Sequence, residues 1–164
     1  PKSMAMQFQP VDLGSFLREV VKGYKRQFEE KNCRVKLEIE ASPTLNLDQR
    51  ALSMVFNNLI SNAIRYSPRG STLSIYLHKN GKYWEVNFED QGFGFDKKDL
   101  KKIFRKFYRV QNEDTQNIEG AGLGLFISSE IIKYHKGQLK VSSLGRGKGS
   151  VFSVRLPLSC EVEA

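Results

Sequence analysis

Three stretches of the chain carry apolar residues at helical spacing. Residues 11–32 repeat Leu, Phe and Val at intervals of three and four, and Asp12 stands where an N-cap is expected. Asp48 stands in the same relation to residues 49–66. Residues 123–136 show the pattern a third time and are followed by glycine, a common helix stop. The spacing therefore predicts three long helices, each with one apolar face.

Six segments alternate apolar with polar residues, which is the pattern of strands with one buried face. They cover residues 33–40, 45–47, 71–79, 82–90, 138–144 and 149–157. Asn80-Gly81 joins the third segment to the fourth and is typical of a tight hairpin turn. Hairpins combined with three long helices predict an α+β fold. We expect a two-layer α/β sandwich whose mixed, mostly antiparallel sheet is covered on one face by the helices.

Composition narrows the class of protein. The chain has 164 residues, of which 40% are hydrophobic and 27% are charged, as in a single globular domain. No apolar run approaches the roughly 20 residues of a membrane-spanning helix. Cys33 and Cys160 lie in unrelated contexts, and no Cys/His cluster has metal-ligand spacing, so a reduced cytosolic chain is expected. The net charge of +8 suits a phosphate-bearing partner, either a nucleic acid or a nucleotide.

Two asparagines, Asn58 and Asn62, lie one helical turn apart in NNLISNAIRYS, on the flank of an apolar stripe. Arg65 follows on the same line, and Tyr66 is close to Asn62 on its other side. An amide oxygen is a hard ligand of the kind that Mg²⁺ accepts together with water and substrate phosphates. An arginine one turn further on can meet phosphate. The alternative is that the amides only satisfy nearby backbone groups or water.

A second candidate is the loop that begins at Asp90 in EDQGFGF. Gly92 and Gly94 permit positive φ and a close approach of the backbone to a flat ligand. A carboxylate held there can accept a hydrogen bond from an exocyclic amine such as that of adenine. A plain turn at the end of a strand explains the same residues, since aspartate and glycine dominate turns.

A third candidate is EGAGLGL, in which Gly120, Gly122 and Gly124 lead directly into a predicted helix. The N–H groups at a helix start favour phosphate, although the spacing matches neither a P-loop nor a dinucleotide fingerprint. A helix start with flexible glycines is the alternative. In the later GRGKG stretch we favour simple hairpin-turn roles for Gly145 and Gly147.

Together these stretches resemble the catalytic and ATP-binding domain (HATPase) of sensor histidine kinases, in the GHKL superfamily that also includes DNA gyrase B subunits and mismatch-repair ATPases. Four boxes appear in family order: NNLISNAIRYS, DQGFGF, IFRKFYRV and GAGLGLFIS. The resemblance implies the Bergerat (GHKL) form of the sandwich, with the nucleotide between its helices. It implies an ATP-binding domain over residues 10–158 with a mobile lid at about 106–121, between a flanking segment, 1–9, and a tail, 159–164.

The resemblance also implies, by position, which residues handle the metal ion and the phosphates. Asn62 matches the Mg²⁺ ligand and Asn58 assists it, while Arg65 and Arg109 match side chains that approach the phosphates. These four residues form the predicted catalytic set, and ATP and Mg²⁺ are the implied cofactors. The nucleotide-binding residues around the lid are implied to be Tyr108, Arg109, Gly120, Gly122, Leu123, Gly124 and Leu125.

The other end of the nucleotide is implied to lie in an adenine pocket. Its members are Tyr66, Asp90, Gly92, Gly94, Phe95 and Ser150. Asp90 matches the acceptor for the adenine amine, and Tyr66 matches a residue that packs near the base. Phe95 replaces a common small aliphatic residue and is expected to narrow the pocket. Ser150 stands where a hydroxyl often reaches the adenine through water.

Asn58 is informative about the type of reaction. Relatives that hydrolyse ATP carry glutamate at this position, where a carboxylate acts as general base for water. An amide cannot take that role. The chain is therefore expected to hydrolyse ATP poorly and to hold it for phosphoryl transfer, which depends mainly on positioning and charge neutralisation.

The family's phosphoacceptor histidine is not recognisable in the sequence. His78 lies near a hairpin end and His135 in the last turn of a helix, and neither has the acceptor's setting. The resemblance therefore implies an acceptor on a histidine-bearing dimerisation domain of the same parent chain, with relay to a response regulator receiver domain. We expect this fragment to be monomeric, its parent to be a homodimer, and the domain to be cytoplasmic. Whether the parent is anchored in the cell membrane stays open.

Two other functions fit parts of the sequence. Nucleic-acid binding, which we favour less, would use a basic face interleaved with aromatic residues. The residues of this face are Lys98, Lys101, Lys102, Arg105, Lys106 and Arg109. An ATP-binding regulatory module with little transfer activity is the other alternative. A gyrase-like ATPase is disfavoured by Asn58.

Overall fold

The structure, a computed structural model, describes residues 5–115 and 122–163. Its helices are α1 (Leu13–Lys22), α2 (Lys25–Glu30), α3 (Gln49–Arg65), α4 (Lys97–Leu100) and α5 (Gly124–Tyr134), with a short 3₁₀ helix at Leu158–Cys160. Its strands are β1 (Gln9–Asp12), β2 (Arg34–Ile39), β3 (Thr44–Leu47), β4 (Thr72–Asn80), β5 (Tyr83–Asp90), β6 (Gln138–Ser142) and β7 (Ser150–Pro157). None of the helices in these residues is long and apolar enough to cross a bilayer.

The main sheet has five strands in the order β2-β4-β5-β7-β6. The β2–β4 pair is parallel, and the other three neighbouring pairs are antiparallel. The predicted β4–β5 hairpin is present, with Asn80 opposite Tyr83 across the turn. The prediction of a mixed, mostly antiparallel sheet is therefore confirmed. The shorter strands β1 and β3 pair separately as an antiparallel ribbon.

The core lies between the sheet and a helical layer formed by α1, α3 and α5. Three aromatic rings connect the layers, since Phe16 of α1 packs 5.5 Å from Phe56 of α3, which packs 5.7 Å from Phe88 of β5. These centroid distances are those of favourable aromatic pairs. Leu52, Val55 and Ile60 of α3 have no solvent exposure. The predicted two-layer sandwich is confirmed, and its central helix is held with one face fixed against the sheet.

Helix α3 begins and ends where the sequence predicts. The carboxylate of Asp48 accepts a hydrogen bond from the backbone N–H of Ala51 at 2.9 Å, which is the geometry of an N-cap. Arg65 occupies the last turn, where a cation interacts favourably with the helix dipole. Pro68 prevents the helix from continuing, since proline disfavours the helical conformation in the residue before it. Because both ends are fixed, the side chains of α3 keep a defined orientation.

The prediction of a single helix within residues 11–32 is wrong, because two helices form there. The Asp12 N-cap is present, with its carboxylate 3.0 Å from the N–H of Ser15, but α1 ends at Lys22 and a shorter α2 follows. Gly23 weakens the helix at that point, because glycine loses more backbone entropy than any other residue. Tyr24 is turned toward α3, where its hydroxyl donates to the carbonyl of Asn57 at 3.2 Å.

Residues near both ends of the described part of the chain contact the rest of the domain. The backbone N–H of Gln7 donates to Asp48 Oδ2 at 2.8 Å. Near the other end, Trp84 Nε1 donates to Glu161 Oε1 at 2.8 Å, and Val162 N donates to the carbonyl of Thr44 at 2.9 Å. Residues of the predicted flank and tail therefore pack on the fold, and the predicted boundaries stay predictions.

His135 makes folding stability depend on pH. It is 2% exposed, its Nε2 lies 3.0 Å from Asp48 N, and its Nδ1 lies 2.8 Å from the carbonyl of Ile131. This arrangement fits a neutral ring that donates from Nδ1 and accepts at Nε2, and burial lowers its pKa. The unfolded chain therefore binds this proton at a higher pH than the folded chain. We expect the free energy of unfolding to fall as pH drops below about 6.5.

Urea unfolding between pH 5 and 8 measures this dependence. A His135→Gln variant should be less stable throughout and should lose less stability between neutral pH and pH 5 than the original chain. Equal pH slopes for the two chains in that interval would contradict the assignment of the slope to His135.

Candidate functional site

A cavity of about 240 Å³ opens between α3, the sheet and the start of α5. This is far more than the roughly 15 Å³ needed by one buried water. One wall is formed by α3 and the floor by β5 and β7, while the remaining wall comes from the segment 93–110 and from residues that begin α5. It combines an apolar floor with polar groups at both ends, which is the usual character of a small-molecule site.

At the junction of α3 and α5, Asn58 lines the cavity. Its Nδ2 donates to Ser128 Oγ at 3.3 Å, which ties the two helices together. A Cβ added to Gly124 would lie 2.5 Å from Asn58 Oδ1, so only glycine fits at that position without a shift. The glycine predicted from the third motif thus serves first as a close-packing point between the two helices.

A cationic edge continues along α3. Asn62 Oδ1 accepts a hydrogen bond from Arg65 Nη2 at 3.1 Å. The Arg65 guanidinium lies 5.6 Å from the centre of the Tyr66 ring, within the range of a cation–π contact. Arg109 lines the same cavity from the opposite wall. Two amide groups and two arginines therefore line this cavity.

Asp90, at the end of β5, supplies the carboxylate at the other end of the cavity. Its Oδ1 accepts from the N–H of Gly92 at 2.8 Å, and its Oδ2 accepts from Ser150 Oγ at 2.8 Å. Burial raises the pKa of Asp90, and these two donors oppose that effect. A carboxylate has about four acceptor positions, so the two donors leave acceptor capacity for a ligand.

The loop after Asp90 is locked against the β6–β7 turn. Gly147 N donates to the carbonyl of Phe93 at 2.6 Å, and Gly149 N donates to that of Gly92 at 3.1 Å. Gly94 has φ +68°, and a Cβ there would lie 2.1 Å from the carbonyl oxygen of Gly145. Glycine is therefore required at 94 for both conformation and space.

Gly94→Ala should cost more stability than the matched change Gly147→Ala. Gly147 has φ +78° but nothing within 4 Å of an added Cβ, so alanine there brings only the conformational cost of about 1–2 kcal/mol. At Gly94 the backbone clash adds to that cost, and we expect a loss of at least about 3 kcal/mol. Urea unfolding of both variants checks this order. Equal losses would show that the loop and turn are not packed as described.

Tyr108 fixes the start of the predicted lid. Its hydroxyl donates to Asp99 Oδ1, and this hydrogen bond raises the pKa of Tyr108 to about 12. Asp99 is 3% exposed on α4. The neighbouring Phe107 adopts φ +67°, and its N–H donates to the carbonyl of Gly122 at 2.9 Å. Residues at the start of the predicted lid segment and just after it are thus hydrogen-bonded to each other beside the cavity.

The start of α5 faces the cavity through Gly122, Gly124 and Leu125. Gly122 has φ +73°, and no side chain caps the helix. The first N–H groups of a helix have no partner within it, and together with the helix dipole they attract anions. This end of the cavity is therefore suited to phosphate oxygens.

The structure brings most of the predicted nucleotide-binding residues into this cavity. Those that line it are Asn58, Asn62, Arg65, Tyr66, Asp90, Gly94, Phe95, Tyr108, Arg109, Gly122, Gly124, Leu125 and Ser150. Gly92 does not line it but donates to the carboxylate of Asp90. Leu123 also does not line it and is the N-cap residue of α5. Gly120 lies outside the described residues.

Sequence reasoning missed the rest of the lining, which is apolar except for Thr115. These residues are Leu59, Ala63, Phe88, Phe93, Ile103, Val110, Thr115 and Phe152. Phe88 and Phe152 follow the alternation of buried strand residues, so nothing in the sequence separates them from the core. Phe93 lies between the two glycines of DQGFGF, and its place in that motif could have indicated that it lines the cavity. Phe95 packs edge-on against Phe152 with centroids 6.2 Å apart.

The comparisons with known proteins agree with this geometry. The family model described as histidine kinase-, DNA gyrase B- and HSP90-like ATPase matches residues 47–159. The chain therefore belongs to this family. The match includes both asparagines, Asp90 and the glycines before α5. Nucleic-acid binding finds no support in these comparisons.

Two of the similar proteins are named as histidine kinases. WalK, a sensor histidine kinase of Bacillus subtilis strain 168, is 37% identical over 121 residues, which are 73% of this chain and 20% of WalK. SenX3, a sensor-like histidine kinase of Mycobacterium tuberculosis strain H37Rv, is 32% identical over 151 residues, 92% of this chain and 37% of SenX3. Full-length ShkA in complex with AMPPNP has the same fold, with a TM-score of 0.84 at 22% identity over 99% of this chain and 33% of ShkA.

These comparisons identify the class of the domain. The chain is an ATP-binding catalytic domain of the histidine kinase type. It spans less than two fifths of the length of WalK and SenX3.

Proposed function

We propose that this domain binds Mg²⁺-ATP in the cavity and donates the γ-phosphoryl group to a histidine on a separate dimerisation domain of its parent chain. The observation that carries the proposal is the polarity of the cavity. A carboxylate with spare acceptor capacity lies beside the end of α3, Asn58 lies beside the uncapped start of α5, and Asn62 and two arginines also line the cavity. An adenine nucleotide has the complementary polarity, with an amine at one end and phosphates at the other.

The adenine amine is proposed to donate to Asp90, which the Gly92 N–H and the Ser150 hydroxyl hold in place. The apolar floor and Phe95 would then contact the faces and edges of the base. Ser150 contacts Asp90 directly in the structure, which gives it an orienting role in addition to the water-mediated contact expected from the resemblance.

The phosphates are proposed to lie between α3 and the start of α5. Arg65 and Arg109 supply positive charge from opposite walls, and the N–H groups near Gly124 supply donors. A lid over residues 106–121 would exclude water from the transferred group. The join between Phe107 and Gly122 supports that role, because it brings the two ends of the segment together.

The donor atoms of Asn58 and Asn62 fit Mg²⁺ held jointly with the nucleotide. Amide oxygens are hard and neutral, which suits an ion whose charge is compensated mainly by phosphate oxygens. In the described part of the chain, no group of three or more His, Cys, Asp or Glu side chains is placed to hold a metal ion. Asn62 would be the principal ligand with Asn58 beside it. When bound, the ion neutralises charge on the β- and γ-phosphates.

The reaction is proposed to be transfer rather than hydrolysis. An imidazole nitrogen of the acceptor attacks the γ-phosphorus, the bond from that phosphorus to the β–γ bridging oxygen breaks, and ADP leaves with the electron pair. The imidazole proton passes to solvent. Asn58 supplies no base for an attacking water, because an amide does not accept a proton at neutral pH.

The partners follow from this reaction. We propose that the parent is a homodimer whose dimerisation domain carries the acceptor, and that a response regulator receiver domain takes the phosphoryl group onward. The domain would then act in the cytoplasm. The similarity to WalK and SenX3, both named as histidine kinases, supports this arrangement.

Transfer is tested with ATP labelled at the γ-phosphate and the parent's histidine-bearing helical domain supplied as a separate chain. We expect label on the acceptor to grow with time in the presence of Mg²⁺ and to exceed free labelled phosphate. An acceptor with its histidine replaced by glutamine should take up none. Release of free phosphate without acceptor labelling would refute the transfer proposal and leave ATP binding standing.

A further inference from the structure

Ser67, which follows the last turn of α3, carries a buried hydroxyl whose role the proposed chemistry does not explain. The residue is 3% exposed. Among the residues that the structure describes, its Oγ is the one buried side-chain oxygen or nitrogen without a hydrogen-bond partner. Buried hydroxyls in proteins are almost always hydrogen-bonded to protein atoms or to ordered water, since an unpaired one is costly. We therefore expect the Ser67 hydroxyl to have a hydrogen-bond partner, such as an ordered water, that is not a protein atom.

The surroundings of Gly92 show where that partner lies. The position of a Cβ on Gly92 is 3.1 Å from Ser67 Oγ, 2.8 Å from Asp90 Oδ1 and 2.7 Å from the carbonyl oxygen of Tyr66. Three oxygens thus surround one glycine behind the wall of the cavity. Since both oxygens lie about 3 Å from that one position, Ser67 Oγ and Asp90 Oδ1 are no more than about 6 Å apart, a separation that one water hydrogen-bonded to both can span. A Cβ at Gly92 would lie too close to the oxygens of Tyr66 and Asp90, so this arrangement of the three oxygens requires glycine there.

We propose that Ser67 is a positioning residue for the adenine-binding carboxylate, acting through one buried water that accepts from its hydroxyl and donates to Asp90 Oδ1. The proposal rests on the proposed ATP binding and adds a residue to its specificity. Gly92 N–H, Ser150 Oγ and this water would then be three donors around one carboxylate.

The consequence is a preference for 6-aminopurines. A 6-amino group donates to an oriented carboxylate, whereas the 6-oxo group of inosine or guanosine presents a lone pair to it. Removing the third donor lets the carboxylate rotate and weakens the bond to the amine. A 6-oxopurine makes no such bond, so its affinity should change little when the third donor is removed.

ATP and inosine triphosphate, which differ in this group, provide the test. Their affinities for the original chain and for Ser67→Ala are measured by calorimetry in Mg²⁺. We expect Ser67→Ala to weaken ATP about three- to tenfold, the usual worth of one hydrogen bond, and to change inosine triphosphate less than about twofold. The matched control is Ser71→Ala, which removes another buried hydroxyl, one that lies 4.0 Å from Cys33 Sγ and does not line the cavity. It should leave both affinities unchanged.

Two further variants keep the test decisive. Ser67→Cys retains the shape with a weak donor and should show the same selective loss if the alanine variant does not fold. Ser67→Thr retains the hydroxyl and should preserve the ratio of the two affinities. An equal loss for both nucleotides, or no loss, would overturn the proposal for Ser67. Failure of the original chain to bind ATP would instead refute the proposed function.

Discussion

Asp90→Asn should weaken ATP binding about hundredfold, the largest effect that we expect from one substitution in the adenine pocket. The carboxylate accepts from the Gly92 N–H and the Ser150 hydroxyl through different oxygens. An amide has only one oxygen, so one of those donors, or the adenine amine, would face an NH₂ group. Titration calorimetry with ATP and Mg²⁺ measures the loss, and thermal unfolding of the variant shows whether the fold is retained.

Glu89→Gln is the matched control, because Glu89 is the neighbouring carboxylate on β5 and does not line the cavity. It should change ATP affinity less than about twofold, as expected for an exposed charge. If Asp90→Asn is folded and binds ATP as tightly as the original chain, Asp90 is not the acceptor for the base.

Asn62→Ala should abolish the part of ATP affinity that depends on Mg²⁺ and should lower phosphoryl transfer about hundredfold. Losing a metal ligand, or a group that stabilises charge in the transition state, has effects of this size. Asn62 lines the cavity, and its side-chain oxygen currently accepts from Arg65. The variant also leaves Arg65 without that acceptor, so affinity without Mg²⁺ is measured in parallel to separate the two contributions.

Asn57→Ala is the matched control for this change. Asn57 lies on the same helix but outside the cavity lining, and its Nδ2 donates to Ser53 Oγ at 3.1 Å. It should bind Mg²⁺-ATP and transfer phosphate within about twofold of the original chain. An Asn62→Ala chain that still gains affinity from Mg²⁺ would remove this residue from the metal site.

Much of the fold follows from local signals in the sequence. Asp48, the apolar stripe and Pro68 define α3 almost to the residue, and Asn80-Gly81 locates the hairpin. The first helix shows the limit of periodicity. Its apolar spacing runs through Gly23, but the chain turns there so that Tyr24 can reach α3. Gly23 weakens the helix locally, and the contact of Tyr24 with a distant segment adds an effect that is not visible in local spacing.

Strand β1 shows the same limit. Its sequence, QPVD, is short and contains proline, which disfavours strands except at edges. It forms because residues 44–47 offer it an antiparallel partner. The pairing joins residues far apart in the chain, so neither segment alone predicts it.

Some residues of the candidate site could likewise be predicted from the sequence, and others could not. Asn58, Asn62 and Asp90 stood out because polar residues beside an apolar pattern are costly and need a reason. The aromatic floor did not stand out, because Phe88 and Phe152 satisfy the strand pattern like any core residue. Whether such a ring meets another side chain or a cavity depends on how far α3 sits from the sheet. The orphan hydroxyl of Ser67 likewise became visible only with its surroundings.

Calorimetric titration of the chain with ATP, in the presence and absence of Mg²⁺, measures directly whether the cavity binds Mg²⁺-ATP. We expect saturable binding of one ATP per chain, tighter with Mg²⁺ and much weaker for inosine triphosphate. No heat at millimolar ATP and Mg²⁺, with the chain shown to be folded, would contradict it.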